Sequence, residues 1–477
     1  MDRTGNEQNP SSMRPRATMR GSLAVAGLIA ATLTQALLPP GARAEVTHTV
    51  IAATGTAAPE DGLFLFFPTL GMNARGEVVF DAFLAGTSRP TGIFVWDGRT
   101  TSAIARGPDP MSGIFGFVQS PAIGAGGEVV FVVAGNTGIF RDDGIGISPI
   151  VQEGDPAPGG GNFTGLSFYS ANSRGVIAFP ADVTGGASIS GIFRSDGTRT
   201  VSIARDNTIS PLGGTFVFFG ESVINRQGQV AYYAGMTGGS GDFGIFRGDG
   251  DDDGETNTTI FAANQPAPGG GTFVDFGVPI INARGQVAAL GLTDRQGLFR
   301  GDGKRAAVIA LQGDPAPNGG NYDGSFFGPQ VMNDRGQVAF NAGLSGGASD
   351  TGIFRGDGVT TSTIALAGTT APGTTGIFSA FGDMKIGENG TVAFMATLAL
   401  GVGGVDGTNN MGIWSGTSDS DLHLLVRTSD IIDGSTLISL PMQIFAMNER
   451  GVAWQGRFSG PSSAIVFSTN LQEEEGE

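Results

Sequence analysis

Apolar residues along this chain gather in short bursts, and each burst follows a glycine turn. The bursts are Val78-Val79-Phe80, Val129-Val130-Phe131, Ile177-Ala178-Phe179, Val230-Ala231-Tyr232, Val287-Ala288-Ala289, Val338-Ala339-Phe340, Val392-Ala393-Phe394 and Val452-Ala453-Trp454. They do not alternate cleanly with polar residues, which is the pattern of a strand covered on both faces. The preceding glycines are Gly76, Gly127, Gly175, Gly228, Gly285, Gly336, Gly390 and Gly451, spaced 48 to 61 residues apart and about 54 on average. That period is longer than leucine-rich, ankyrin or tetratricopeptide units and close to a propeller blade.

Three further signals recur in fixed order within each period. Gly-Ile-Phe or a close variant begins at Gly92, Gly138, Gly191, Gly244, Gly297, Gly352 and Gly412, with Ala464-Ile465-Val466-Phe467 as the eighth copy. An Asp-Gly pair usually follows, as at Asp302-Gly303, and predicts a tight hairpin. Beyond it lie a strand such as Thr361–Ala365, a Gly-Asp-Pro-Ala-Pro-Gly-Gly crossing such as Gly154–Gly160, and a Phe-containing strand that leads to the next turn. The pattern predicts an all-β fold, an eight-bladed β-propeller with four antiparallel strands per blade.

The ends of the repeat predict how the ring shuts. Counted by type, Thr47–Ala52 is a fourth strand with no blade of its own, and the last unit stops at a third strand, Ala464–Ser468. An open solenoid gives no reason for this split, whereas a ring is locked when the N-terminal strand completes the last blade.

The repeat resembles the exported bacterial tandem-repeat family named for its NxxGxxAF motif, and more loosely the HAF-repeat extracellular proteins. The likeness rests on Asn73, Gly76 and Phe80, on Asn172, Gly175 and Phe179, and on Asn333, Gly336 and Phe340. Gly124 and Gly387 stand where Asn is expected. The resemblance implies export and repetition, and no activity.

Residues 1–44 read as an export signal: Arg14, Arg16 and Arg20 precede the apolar run Leu23–Leu38, and Ala42-Arg43-Ala44 offers a cleavage site. Residues 45–470 then form one propeller domain, and 471–477 an acidic tail. The mature chain is expected to lack a membrane span, to be a monomer, and to lie in the periplasm or outside the cell. It carries 22 Lys and Arg against 42 Asp and Glu, a net charge of about −20. Such a surface disfavours nucleic acid, which is bound through clustered Lys and Arg. With no cysteine, disulfides and thiolate chemistry are excluded. The 33 Phe supply far more apolar bulk than a disordered chain carries, so the 81 glycines punctuate a folded chain.

Candidate chemistry is sparse. Asp249, Asp251, Asp253 and Glu255 lie in Asp249-Gly250-Asp251-Asp252-Asp253-Gly254-Glu255, which matches the front half of a calcium loop. Calcium is the one cofactor suggested. Position twelve is Ile260, so the bidentate glutamate of a helix-loop-helix site is missing, and a solvated Asp-Gly turn is the competing reading. Asp155 and Asp314, with Asp109 in a looser copy, are expected to bond turn amides ahead of a proline. His48 and His423 fall on fourth strands, poor places for a catalytic base. Arg-Gly-Asp at Arg247, Arg300 and Arg355 falls out of the repeat consensus. Arg75, Arg174, Arg284, Arg335 and Arg450 ring one face and are expected to pair with local acids. Trp414 and Trp454 replace Phe at core positions, and Phe reads mostly as core filler. No catalytic residue emerges.

The sequence therefore points to a non-enzymatic binding or scaffold module. It would present its loops between second and third strands, such as 84–91, 183–190 and 398–411, to a protein or glycan. The alternatives are a carboxylate- or calcium-dependent hydrolase or lyase acting at the channel mouth, and a calcium-stabilised structural protein of the cell surface.

Overall fold

The computed structural model describes residues 46–108, 116–134, 138–166, 169–249, 256–317, 319–441 and 445–470. Eight antiparallel sheets follow one another along the chain, four of them four-stranded and the others with a divided or added strand. In the sixth blade the order is Asn321–Met332, Val338–Ser345, Thr351–Gly356 and Thr361–Leu366, each strand paired to the next in sequence. In blades one, three and five the first strand is broken into two pieces. The first strands of neighbouring blades touch one another around the ring, so the first strand is the inner edge and the fourth the outer.

The ring is closed by the N-terminal strand. Val46–Ala53 pairs antiparallel with Ala464–Asn470, with Val50 opposite Val466 and Thr47 opposite Thr469. The last blade thus reads Val46–Ala53, Ala464–Asn470, Gly451–Phe458 and Ser435–Ser439 from outside inward, with Phe445–Asn448 continuing the inner strand. Ile431–Ile432 adds a short strand beside Ser435–Ser439 that the repeat does not foretell.

Packing lies between sheets, as the unbroken apolar bursts require. One cluster joins Ile51, Ala453, Ile465 and Phe467 of the last blade to Phe64, Phe80, Phe94 and Trp96 of the first, with the Trp96 and Phe467 rings 5.2 Å apart. Within most blades the aromatic residue of the second strand stacks on that of the third, and a third ring from the chain entering the blade meets them edge-on. Phe179, Phe193 and Phe163 show it, with Phe163 4.8 Å from Phe193. Phe, Trp414 and Trp454 fill this layer as expected, both Trp residues being fully buried.

Seven turn glycines take a left-handed backbone, with φ between +70° and +94°. Gly451 is the exception: a Cβ there would lie 2.3 Å from the Ser468 carbonyl oxygen, so close approach, not φ, requires glycine.

Candidate functional site

The Asn of each turn does more than shape it. Asn73 Oδ1 accepts the amides of Arg75 and Glu77 at 3.0 and 3.1 Å, while its Nδ2 crosses to the next blade and donates to the Gly124 carbonyl at 2.9 Å. The same crossing links Asn172 to Asn225, Asn225 to Asn282, Asn282 to Asn333, Asn333 to Gly387, and Asn448 back to Asn73. Gly124 and Gly387 accept a bond but have no side chain to send onward. A second course of bonds runs beside this one. Arg194 and Arg247 donate to the turn-glycine carbonyls of the following blades, Gly228 and Gly285, at 3.0 and 2.6 Å, and Arg300 and Arg355 do the same to Gly336 and Gly390.

These bonds account for the repeated Arg-Gly-Asp. Its arginine staples adjacent blades, and Asp302 and Asp357 accept the amides that close their own hairpins. Asp155 Oδ2 accepts the Gln152 amide at 2.8 Å, and Asp314 pairs with Arg295 at 3.3 Å. Asp109 lies outside the described residues. His48 sits on the outermost strand with Nδ1 2.8 Å from Ser468 Oγ, which also accepts from Trp454 Nε1, and His423 lies on the fourth strand of blade seven. Of the acidic loop, Asp249 Oδ1 accepts from Arg247 Nε at 2.9 Å and Gln229 Nε2 at 2.8 Å. Asp251, Asp253 and Glu255 lie outside the described residues. Among the face arginines, Arg75 lies 3.5 Å from Glu77 as expected.

Two carboxylate arrangements, one buried and one on the surface, are not visible in the sequence. Asp81, only 3% exposed, accepts from the Thr69 amide and hydroxyl and from the Ser120 amide of the next blade. Burial nonetheless holds its carboxyl above the usual range. Ser120 takes φ +53°, and its carbonyl accepts the Tyr169 hydroxyl of blade three at 2.6 Å. On the turn face, Asp334, Glu388 and Glu449 each accept an amide from the blade before. Burial first, then repulsion from Asp334 and Glu449, raises the Glu388 carboxyl.

Phe is mostly core filler as expected, and the inner strands hold the exceptions. Phe66, Phe117, Phe218 and Phe327, on the first strands of blades one, two, four and six, are 41–51% exposed. Phe83 joins Phe66 with ring centres 6.3 Å apart, and Tyr233 and Phe243 flank Phe218 at 5.8 and 6.3 Å. A cleft of about 490 Å³ opens beside Phe327 between the inner strands of blades six and seven, where Lys385 pairs with Asp383 at 2.9 Å. The first strands descend from the loop face, so these rings flank the loop-face half of the channel. Composition cannot separate them from buried Phe; only the inner-edge position of the first strand does. The loops above are braced by Arg106, which is buried, pairs with Asp61 at 2.8 Å and donates to the Pro59 and Arg89 carbonyls.

The profile of DUF7453, a family of unknown function, matches residues 21–297 and 289–438. The chain belongs to this family. No curated protein matches the DUF7453 chain. Solved structures similar to it match at low identity. A Mycobacterium tuberculosis puromycin-hydrolyzing peptidase matches at 11% identity and TM-score 0.41, over 83% of this chain and 58% of that one. This DUF7453 member therefore spans a little over half the length of that peptidase. Saccharomyces cerevisiae Sqt1 matches at 11% identity and TM-score 0.41, over 88% of this chain and 99% of that one. Virginiamycin B lyase from Staphylococcus aureus matches at 12% identity and TM-score 0.31, over 89% and 99%.

Proposed function

We propose that this DUF7453 propeller is an exported binding module that takes a protein partner on its loop face, at the channel mouth. The exposed aromatic residues on four inner strands carry this reading, because large apolar side chains left open to solvent around one mouth mark a contact site. Phe lacks the polar edge that Trp and Tyr offer a sugar, so apolar side chains of a protein fit this mouth better than a glycan does. The net charge of −17 favours a basic partner. Export rests on the signal-like residues 1–44 and on the likeness of the turns to the NxxGxxAF repeat. Calcium, if bound, belongs to the loop that begins at Asp249.

The test is capture from the envelope fraction of the native cell. A partner retained by the wild-type chain, and lost when Phe66, Phe117, Phe218 and Phe327 are replaced by Ser, supports the reading. Equal capture by both chains, or binding to a glycan array in place of protein, overturns it.

A further inference from the structure

The exposed rings of the mouth stand in different electrostatic surroundings. At blade four, Phe218 of the first strand lies opposite Gly235 of the second, and Gly235 lies opposite Phe243 of the third. Directly opposed residues share a face, as do residues two apart on one strand, so Tyr233 joins Phe218 and Phe243 on the same side of the sheet. The three ring centres are 5.8, 6.3 and 6.1 Å apart. Phe218 settles over Gly235, where a Cβ would meet the ring, and is still 41% exposed. Rings at this spacing touch one another and leave no hole between them. They offer an open aromatic platform.

A carboxylate stands at its edge. Asp275, exposed on the first strand of blade five, accepts the Tyr233 hydroxyl on Oδ1 at 2.9 Å and the Phe276 amide on the same oxygen at 2.8 Å. Burial, then the bond to Asp275, raises the Tyr233 hydroxyl above its usual range, so it remains the donor. Oδ2 of Asp275 has no partner among the described residues. The comparison with Phe327 is direct, because the carboxylate beside that ring, Asp383, is already paired with Lys385. Among the described residues no Lys or Arg pairs with Asp275, and the two cations that lie over rings cover Phe94 and Phe445.

The face of an aromatic ring attracts positive charge, and a carboxylate beside it adds to the attraction. We infer that blade four anchors an arginine of the protein partner, its guanidinium flat on Phe218 with one edge turned to Asp275 Oδ2. The inference rests on the loop-face docking reading and names the chemistry that this reading leaves open. Guanidinium suits the platform better than ammonium does, being planar, weakly hydrated and able to stack while it donates from its edge. The net charge of −17 draws a basic segment toward the mouth, and the anchor fixes where it lands.

The experiment is a saturation-transfer NMR titration of the chain as exported with three peptides, acetyl-Gly-Arg-Gly-amide, its lysine counterpart, and its citrulline counterpart, which keeps the shape of arginine without the charge. The arginine peptide should bind roughly three- to thirtyfold more tightly than the citrulline peptide, and more tightly than the lysine peptide. Phe218→Leu keeps apolar bulk and removes the ring face, and Asp275→Asn keeps an oxygen for the Tyr233 hydroxyl and drops the charge. Each should weaken the arginine peptide roughly two- to fivefold and leave the citrulline peptide unchanged. Equal binding of the arginine and citrulline peptides overturns the anchor, as does a lysine peptide that binds as tightly as arginine. So does arginine binding that survives both substitutions in chains of unchanged circular dichroism. Capture of the native partner separates this inference from the docking reading. A partner lost with the four Ser substitutions but held undiminished by Phe218→Leu and Asp275→Asn removes the anchor and leaves docking in place. Selective arginine binding in a chain that captures no protein supports the anchor and counts against docking.

Discussion

Asn448 donates from Nδ2 to the main-chain carbonyl of Asn73 over 2.8 Å, across 375 positions of sequence. This buried bond fastens the last blade to the first at the inner edge, while the pairing of Val50 with Val466 fastens the outer edge. The ring is therefore locked on both rims, by side chain inside and by main chain outside.

Replacing Asn448 by Ala removes that bond and leaves the amides of Arg450 and Gly451 without their acceptor. The expected cost is about 2–3 kcal/mol in denaturant unfolding, since buried polar groups are left unsatisfied. Asn448→Gly should not refold better than Ala, although glycine is native in blades two and seven, because both lose the crossing bond.

Thr47 and Thr469 face each other in the closing pair, and their hydroxyls are hydrogen-bonded. Cross-strand partners lie within disulfide reach. With no native cysteine to compete, the double variant Thr47→Cys, Thr469→Cys should oxidise to one species that migrates faster on a non-reducing gel. It should gain about 2–4 kcal/mol over its reduced form, the range of engineered cross-links, which fall short of what so long a loop gives by chain entropy alone.

Phe80 and Phe66 test the division between core and mouth. Phe80 is fully buried against Phe94, and Phe66 is half exposed. Phe80→Ala should cost about 3–5 kcal/mol, and Phe66→Ser no more than about 0.5 kcal/mol, both read by urea melts.

Glu388 gives a pH dependence with a definite sign. Its folded carboxyl is raised by burial and by Asp334 and Glu449, so folding binds its proton more tightly than the unfolded chain does. The contribution is fully present below the unfolded carboxylate pKa, about 4.3, and is lost as pH rises through the folded value. Glu388→Gln keeps an oxygen to accept the Asp334 amide and drops the charge. Its melting temperature should exceed that of the wild type at pH 8 and match it at pH 4.

The blades, their number and the closing strand were legible because each depends on local chemistry repeated eight times: a glycine turn, an apolar burst, an Asp-Gly hairpin. The odd strand at Thr47–Ala52 needed only counting. The crossing bonds of Asn73 and its counterparts were not legible, since an Asn in a turn looks the same whether it bonds its own loop or the next blade. Nor was the exposure of Phe218 beside buried Phe216, two residues that a regular strand would turn to one face and that a break in register between them sends to opposite faces of the inner strand.

The pairing of Val46–Ala53 with Ala464–Asn470 also sets an order of events. The earliest part of the domain to be synthesised stays without its neighbour until the final strand exists, so closure is a long-range step that local structure cannot hurry. A product truncated before residue 464 would strand the first segment and leave the rim of its last sheet open as a template for other chains. Incomplete copies of this protein should therefore clump or be degraded rather than linger as smaller, serviceable rings.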